Sequence, residues 1–488
     1  MTGRVASVRW RWALAAPVLA AAASSACAEP VDEPPPRRGP NVVFILADDL
    51  GWGDLASYGH PHILTPNLDQ LAAEGTLFTQ FYVAGPTCSP ARAGFLTGRF
   101  PARDRIHAAL SRRHLNRRRA MPDYLDPEIP VVTRLLASGG YRIGHVGKWH
   151  LGGVPDAPEP SAYGVDDYRV VAGNGPGWRR EELYQPDFIR RLVDEALCFI
   201  EDNRERPFYL NLWTMLPHAV LNPSPAQMAP YAHLGPGRPA RPHHKGAMQV
   251  YYAAVTALDH ELGRLFRRLD ELGLSRRTLV LFASDNGPED IAYRNASHSG
   301  VGSTGPFRGR KRSLYEGGIR VPLLARWPGQ VAAGRVADQV VVAGVDLLPT
   351  LCSLTGACVA PAGVDGEDAA DVLTGAVRPR TRPLLWERRL GIGGHVWNRS
   401  PMLAVRDGDL KLLLNPDLSR VELYDLHADP RERDNLARRR PDDVARLRAL
   451  VLDWHADLPP GGVADDAGRD DYPWPGAAAG EGVEGRGA

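Results

Sequence analysis

The sequence predicts an α/β fold: a mainly parallel sheet covered by helices on both faces. Two observations carry this. Four short strand candidates alternate with longer segments whose apolar residues recur at helical spacing, and that alternation favours parallel pairing under helical layers. Each of the four strands also runs directly into polar or ionisable residues. In open α/β sheets, ligands bind at that carboxyl edge.

The elements follow in order. Asn41–Ala47 (NVVFILA) is apolar almost throughout, the mark of a strand buried on both faces, and it ends at Asp48-Asp49. Thr65-Pro66-Asn67-Leu68 starts a helix, with Thr65 as N-cap and Pro66 in the first helical position, and Gly75 ends it. Tyr141–Val146 is the second strand and leads into Gly147-Lys148-Trp149-His150. A helix from Pro186 to about Asp202 places Phe188, Leu192, Ala196 and Phe199 on one face. Pro207–Trp213 is the third strand, with Pro217-His218 just beyond. A longer helix spans about Met248 to Leu272, with Val255, Leu258, Leu262, Leu265 and Leu269 at helical spacing and Gly273 as its cap. Thr278–Ala283 is the fourth strand and ends at Ser284-Asp285-Asn286-Gly287.

An Asp-Asp or Asp-Asn pair alone is commonly a turn. Four polar clusters after four strands are a different matter, because the topology gathers them at one edge. Asp48, Asp49, Asp285 and Asn286 offer only oxygen donors, which selects a hard cation, Ca²⁺ with Mg²⁺ as the alternative. No Cys/His spacing suggests zinc.

Composition narrows the function classes. The chain has 488 residues, 44% hydrophobic and 24% charged, with a formal net charge of +1. That length predicts a large domain with a smaller companion. The charge balance gives no drive toward nucleic acid or anionic membrane. Arg4, Arg9 and Arg11, the apolar stretch Trp12–Ala23 and small residues up to Ala28 read as a signal peptide over residues 1–28. The apolar stretch is shorter than the about 20 residues of a membrane span. The chain is therefore read as exported, periplasmic or secreted, and not as an integral membrane protein. In an alternative reading Cys27 carries a lipid, although Ser24 stands where such motifs usually have Leu. Residues 29–40 are a Pro- and charge-rich linker, and residues 461–488 are expected to be a mobile tail in which Tyr472 and Trp474 dock locally. Five cysteines make no disulfide scaffold, but Cys352 and Cys358 are close enough to pair in an exported protein.

The most specific segment is Thr87-Cys88-Ser89-Pro90-Ala91-Arg92-Ala93-Gly94-Phe95-Leu96-Thr97-Gly98-Arg99. Its Cys-x-Pro-x-Arg core followed by Leu-Thr-Gly-Arg resembles the signature of the type I, formylglycine-dependent sulfatases, with Ala91 where that family usually has Ser. The resemblance extends in order from about Asn41 to Asp457. It includes Asp48-Asp49-Leu50-Gly51, Gly147–Gly152, Pro217-His218, Ser284–Gly287 and Gly309–Gly318, then Val345–Leu351 and Glu422–Leu426. The overall likeness is to the arylsulfatase A and N-acetylgalactosamine-6-sulfatase branch.

The resemblance implies an alkaline-phosphatase-like large mixed sheet flanked by helices over residues 41–383. A smaller C-terminal α+β domain with an antiparallel sheet follows over 384–460. Its strand candidates are Met402–Arg406, Leu410–Leu414 and Val421–Tyr424, and its helix is Pro441–Trp454 with Val444, Leu447 and Val451 on one face.

The resemblance also implies the chemistry. Cys88 is oxidised by a formylglycine-generating enzyme, and the hydrated aldehyde is the nucleophile that passes through a covalent sulfo-enzyme. Asp48, Asp49, Asp285 and Asn286, with residue 88, hold the metal. A sulfate ester needs fixed positive charge around it, which Arg92, Lys148 and Lys311 provide. Arg92 also holds the hydrate. His218 protonates the leaving alcohol beside Lys311, and His150 is the base for release of sulfate. Lys148, His218 and Lys311 also bind substrate.

The expected substrate is a sulfated carbohydrate, with a small aryl sulfate as the rival. Two other classes stay open: a phosphonate or phosphate ester hydrolase of the same superfamily, whose members commonly have His where Asn286 stands, and a non-catalytic sulfated-glycan binder. Specificity falls to loops at 153–183, 221–245, 288–306 and 390–400. Seven arginines lie between Arg103 and Arg119. Such runs are usually solvated faces, and the alternative here is contact with a polyanionic substrate. His60, His107, His145 and His243 receive no role.

Overall fold

The computed structural model describes residues 39–234, 246–290 and 297–471. The signal peptide, Cys27, His243, Tyr472 and Trp474 lie outside the described residues.

Nine strands form the large sheet. They are β1 (Asn41–Ala47), β2 (Thr76–Tyr82), β3 (Arg142–Lys148), β4 (Asp167–Val171), β5 (Phe208–Trp213), β6 (Thr278–Ser284), β7 (Arg320–Arg326), β8 (Arg335–Ala337) and β9 (Val342–Ala343). Their order is β4-β3-β5-β1-β6-β7-β2-β8, with β9 beside β2. β1 lies between β5 and β6 and is parallel to both. β7 is antiparallel to its neighbours β6 and β2, so the sheet is mixed.

β1 is apolar because both its faces are covered. Val42, Phe44 and Leu46 enter one core, and Val43, Ile45 and Ala47 the other, as a period of two requires. The second core is closed by the helices Phe188–Asp202 and Ala247–Glu271, whose apolar stripes Phe188/Leu192/Ala196/Phe199 and Val255/Leu258/Leu262/Leu265/Leu269 are buried. Both helices start close to where helical spacing places them. Thr65 precedes the helix Pro66–Ala73, but its side chain does not cap it. The hydroxyl accepts from the Ala56 amide (3.0 Å) and donates to Asp69 (3.1 Å), so a tertiary contact has taken the place of the local cap.

A second, antiparallel sheet runs β10 (Leu384–Glu387), β11 (Leu403–Asp407), β12 (Leu410–Leu414), β13 (Val421–Asp425). The helix Pro441–Ala456 covers it with Leu447, Val451 and Trp454. This sheet shares its core with one face of the large sheet. A fully buried cluster reinforces the junction: Lys411 bridges Glu316 and Glu432 at 2.9 Å each.

Residues 461–471, the first part of the expected mobile tail, are tied down by hydrogen bonds, with Ala467 and Gly468 buried. The Ala464 amide donates to the Arg389 carbonyl (2.9 Å), and the Gly468 carbonyl accepts from Asn415 (3.1 Å) and Arg420 (2.9 Å). Cys352 and Cys358 form a disulfide. No helix among the described residues is long and apolar enough to cross a membrane.

Candidate active site

The polar clusters meet at the carboxyl edge of the large sheet. Asp48 and Asp49 follow β1, Asp285 and Asn286 follow β6, Lys148 ends β3, and His218 lies beyond β5. Cys88 opens the fully buried helix Cys88–Thr97. Gly147 has φ +110°, and a side chain there would strike the Trp213 carbonyl at 2.0 Å, so only glycine lets β3 approach β5 closely enough to present Lys148.

At the centre, oxygens of Asp48, Asp49 and Asp285 and the Cys88 sulfur lie within 4.8 Å of one another, all buried. The Asp49 amide donates to Asp285 Oδ1 (3.1 Å), with Asp49 itself held in the left-handed region at φ 66°. Asn286 Nδ2 donates to Asp49 Oδ1 (2.7 Å), while Asn286 Oδ1 is buried without a hydrogen-bond partner. Three buried carboxylates and an unsatisfied amide oxygen fit a hard divalent cation.

Cations ring this cluster. Arg92 binds Asp285 Oδ2 through Nε (3.1 Å) and Nη2 (2.7 Å) and donates to the Lys148 carbonyl (2.6 Å). Lys148 Nζ pairs with Asp48, and Lys311 Nζ reaches both oxygens of Asp49 at 2.5 and 2.6 Å. Burial alone would raise the Asp48 carboxyl, but Lys148 leads the positive charges that hold it well below its ordinary value. Burial likewise opposes the Lys311 ammonium, and Asp49 outweighs it and pushes the pKa up.

Cys88 Sγ lies 3.4 Å from Asp48 Oδ1 and 3.4 Å from Lys148 Nζ. Burial, then Asp285 and Asp48, push its thiol far up.

The two histidines differ. His150 is in the left-handed region at φ 57°, and its Nε2 lies 3.1 Å from the Leu110 carbonyl. A carbonyl only accepts, so Nε2 carries the proton and the buried Nδ1, which has no partner, is left as a base. Burial and the charges of Lys148 and Arg92 hold this imidazole well below its ordinary pKa. His218 is 34% exposed, with Nδ1 2.6 Å from the Ala219 carbonyl and Nε2 3.8 Å from Asp49 Oδ2.

Cys88, His150, His218 and Lys311 open into a cleft of about 750 Å³. Its rim includes residues that sequence reasoning gave no role: Arg388, and Gly462–Asp466 of the C-terminal segment. Gly/Asp-rich composition carries no signal for such a placement. Arg118 and Arg119 of the arginine run also line it. Arg103, by contrast, pairs with Asp365. His145, buried among Trp149 and Trp213, is a packing residue.

The Tyr315-Glu316-Gly317-Gly318 part of the lysine signature is structural. Glu316 pairs with Lys411, and a side chain at Gly287 would meet the Gly317 carbonyl at 1.9 Å. These contacts lock the loops of Asn286 and Lys311 together.

The family profile described as Sulfatase matches residues 40–357, and that described as N-sulphoglucosamine sulphohydrolase, C-terminal, matches residues 305–449. N-acetylgalactosamine-6-sulfatase of Canis lupus familiaris is 35% identical, with 78% of this chain and 73% of that protein covered. Arylsulfatase A of Homo sapiens is 31% identical, with 85% and 87% covered. Among solved structures, that of Ps i-CgsB in complex with k-i-k-neocarrahexaose superposes with a TM-score of 0.73 at 26% identity, with 86% of this chain and 94% of that chain covered.

Proposed function

The chain belongs to the sulfatase family and hydrolyses sulfate esters, and we propose that residue 88, matured from cysteine to formylglycine, is its nucleophile and sulfated carbohydrates are its substrates. The observation that carries this reading is the setting of Cys88. Its sulfur is within 3.4 Å of both an anion and a cation and within 4.8 Å of carboxylate oxygens of Asp48, Asp49 and Asp285.

The hydrated aldehyde supplies two hydroxyls on one carbon, one to attack sulfur and one through which sulfate is expelled. Ca²⁺, with Mg²⁺ as the alternative, supplies positive charge and acidifies a hydroxyl when bound. Asp48, Asp49, Asp285 and Asn286, with residue 88, would hold it.

The remaining steps belong to the chain's own side chains. Arg92, fixed by Asp285 and the Lys148 carbonyl, orients residue 88. Lys148 and Lys311 draw the sulfuryl oxygens by charge. His218, reachable from the cleft and with Nδ1–H held by the Ala219 carbonyl, donates an Nε2 proton to the leaving oxygen from its doubly protonated form. His150 accepts the second hydroxyl's proton at Nδ1.

Carbohydrate is favoured by what the relatives' names state they act on or bind, and by a cleft larger than a sulfate needs. A small aryl sulfate is the second reading, favoured by the arylsulfatase A relative. Export from a signal peptide at 1–28, with Cys27 lipidation as the alternative, is supported by the disulfide. Maturation calls for a formylglycine-generating enzyme as partner. The domain division at 383/384 is supported by the start of the second sheet at Leu384.

The test is a screen of matured enzyme against sulfated mono- and oligosaccharides, aryl sulfates and matched phosphate esters. The reading expects the highest kcat/KM on a sulfated sugar. Highest kcat/KM on an aryl sulfate or a phosphate ester would overturn it.

A further inference from the structure

We propose that the arginine-rich arm Arg112–Arg119 is a second anion-binding wall, so that the preferred substrate carries another anionic group, sulfate or carboxylate, beside the scissile sulfate. This rests on the sulfatase reading above.

The arm is fastened to the reacting residues. The Leu110 amide donates to Ser89 Oγ (2.9 Å), next to the nucleophile. Ser89 in turn donates to the His150 carbonyl (2.7 Å), and His150 Nε2 donates to the Leu110 carbonyl (3.1 Å). Beyond Leu110 the chain is held by Asn116, which is fully buried. Its side chain accepts from the Ser111 amide (2.9 Å) and donates to the Ser111 carbonyl (2.9 Å) and Asp123 (3.0 Å). The backbone that carries the arginines is therefore anchored beside the site, with Arg112 and Arg118 themselves exposed.

Their placement brackets the site. Arg118 lines the cleft that holds Cys88, and Arg112 lines a neighbouring hollow of about 400 Å³ that shares His150 with it. Neither side chain has a hydrogen bond or ion pair among the described residues, whereas Arg113 between them is paired with Asp123 at 3.0 Å. Leu110 ties the arm to both the nucleophile loop and His150, so its exposed arginines border the reacting residues. The cleft rim also carries Asp465 and Asp466 on the C-terminal segment. These carboxylates share the rim with Arg118, Arg119 and Arg388, and a second anion on the substrate is drawn to the guanidinium groups. The forked donors of arginine suit sulfate and carboxylate alike.

The test uses three substrates built on one sulfated disaccharide: no other charge, a second sulfate, or a uronate carboxylate. For each of Arg118→Ala and Arg112→Ala, kcat/KM for the better doubly charged substrate, relative to the singly charged one, should fall about tenfold, the scale of one charge-assisted hydrogen bond. The loss should lie in KM. Arg118→Lys should recover part of it, and the ratio should weaken with ionic strength in the unsubstituted enzyme. Arg267→Ala, an exposed arginine on the helix Ala247–Glu271, is the control and should leave the ratio unchanged. Whichever of the two doubly charged substrates shows the larger effect identifies the anion. An unchanged ratio in both arm variants, or loss in kcat alone, overturns the second wall while leaving the sulfatase reading intact. If the unsubstituted enzyme turns over none of the three nor an aryl sulfate, the sulfatase reading falls and the second wall with it.

Discussion

Asn286 donates an Nδ2 hydrogen to Asp49 at 2.7 Å, while its own Oδ1, equally buried, accepts none among the described residues. One half of the amide is thus satisfied by a carboxylate and the other is left as an open oxygen donor. A buried polar atom without a partner calls for a physical explanation, and a cation beside Asp48, Asp49 and Asp285 supplies one.

The first prediction follows from that donor set. Calorimetry should detect Ca²⁺ binding, and Ca²⁺ at about 100 times its Kd should stabilise the fold by about 2.7 kcal/mol. Asp48→Ala should abolish binding and turnover. Asn286→Ala should weaken binding by about tenfold or more. Full activity in a demonstrably metal-free preparation contradicts the assignment.

The second prediction separates the histidines. His218→Ala should slow alkyl sulfates by about 10²–10⁴-fold, the usual range for a lost general acid, and activated aryl sulfates much less. His150→Ala should release one equivalent of alcohol in a burst and then stall, with sulfate retained on the protein by intact mass. Equal slowing of both substrate types by His218→Ala, together with no burst in His150→Ala, would sink the roles.

The third prediction concerns stability. Burial would raise Glu387, but His107 (2.9 Å), His455 (3.1 Å) and Arg389 (2.8 Å) outweigh it and bring the carboxyl down to about 2. A depressed folded pKa contributes stability above the unfolded value, 4.5, and that contribution is lost as pH falls through about 2. Its ceiling is on the order of 3 kcal/mol, at about 1.4 kcal/mol per pKa unit. Unfolding titrations should show Glu387→Gln least stable relative to the unsubstituted chain near about pH 5, with the gap closing toward about pH 2. A gap independent of pH over that range would mean Glu387 acts by packing alone.

Much of this site was legible in the sequence because its residues sit where apolar strands stop. β1, β3, β5 and β6 are buried on both faces, so their apolar runs stand out, and Asp48, Lys148, His218 and Asp285 mark their ends. β2 and β7 escaped that reading. Thr76–Tyr82 mixes Thr and Gln with aromatics, and Arg320–Arg326 runs antiparallel directly after the Gly317-Gly318 turn. The walls of the cleft escaped it for another reason. Arg118 and Asp466 have the composition of solvated surface, and they reach the site only through long-range fastenings, Leu110 to Ser89 and Ala464 to Arg389. Such contacts have no local signature.

The most direct test of the central claim is the mass of the peptide that contains residue 88, taken from a preparation whose turnover has just been measured. The account predicts a species lighter than the thiol form that reacts with a hydrazide, in a proportion that tracks specific activity across preparations, and no turnover from Cys88→Ala. A fully active preparation in which Cys88 is entirely unmodified thiol would contradict it.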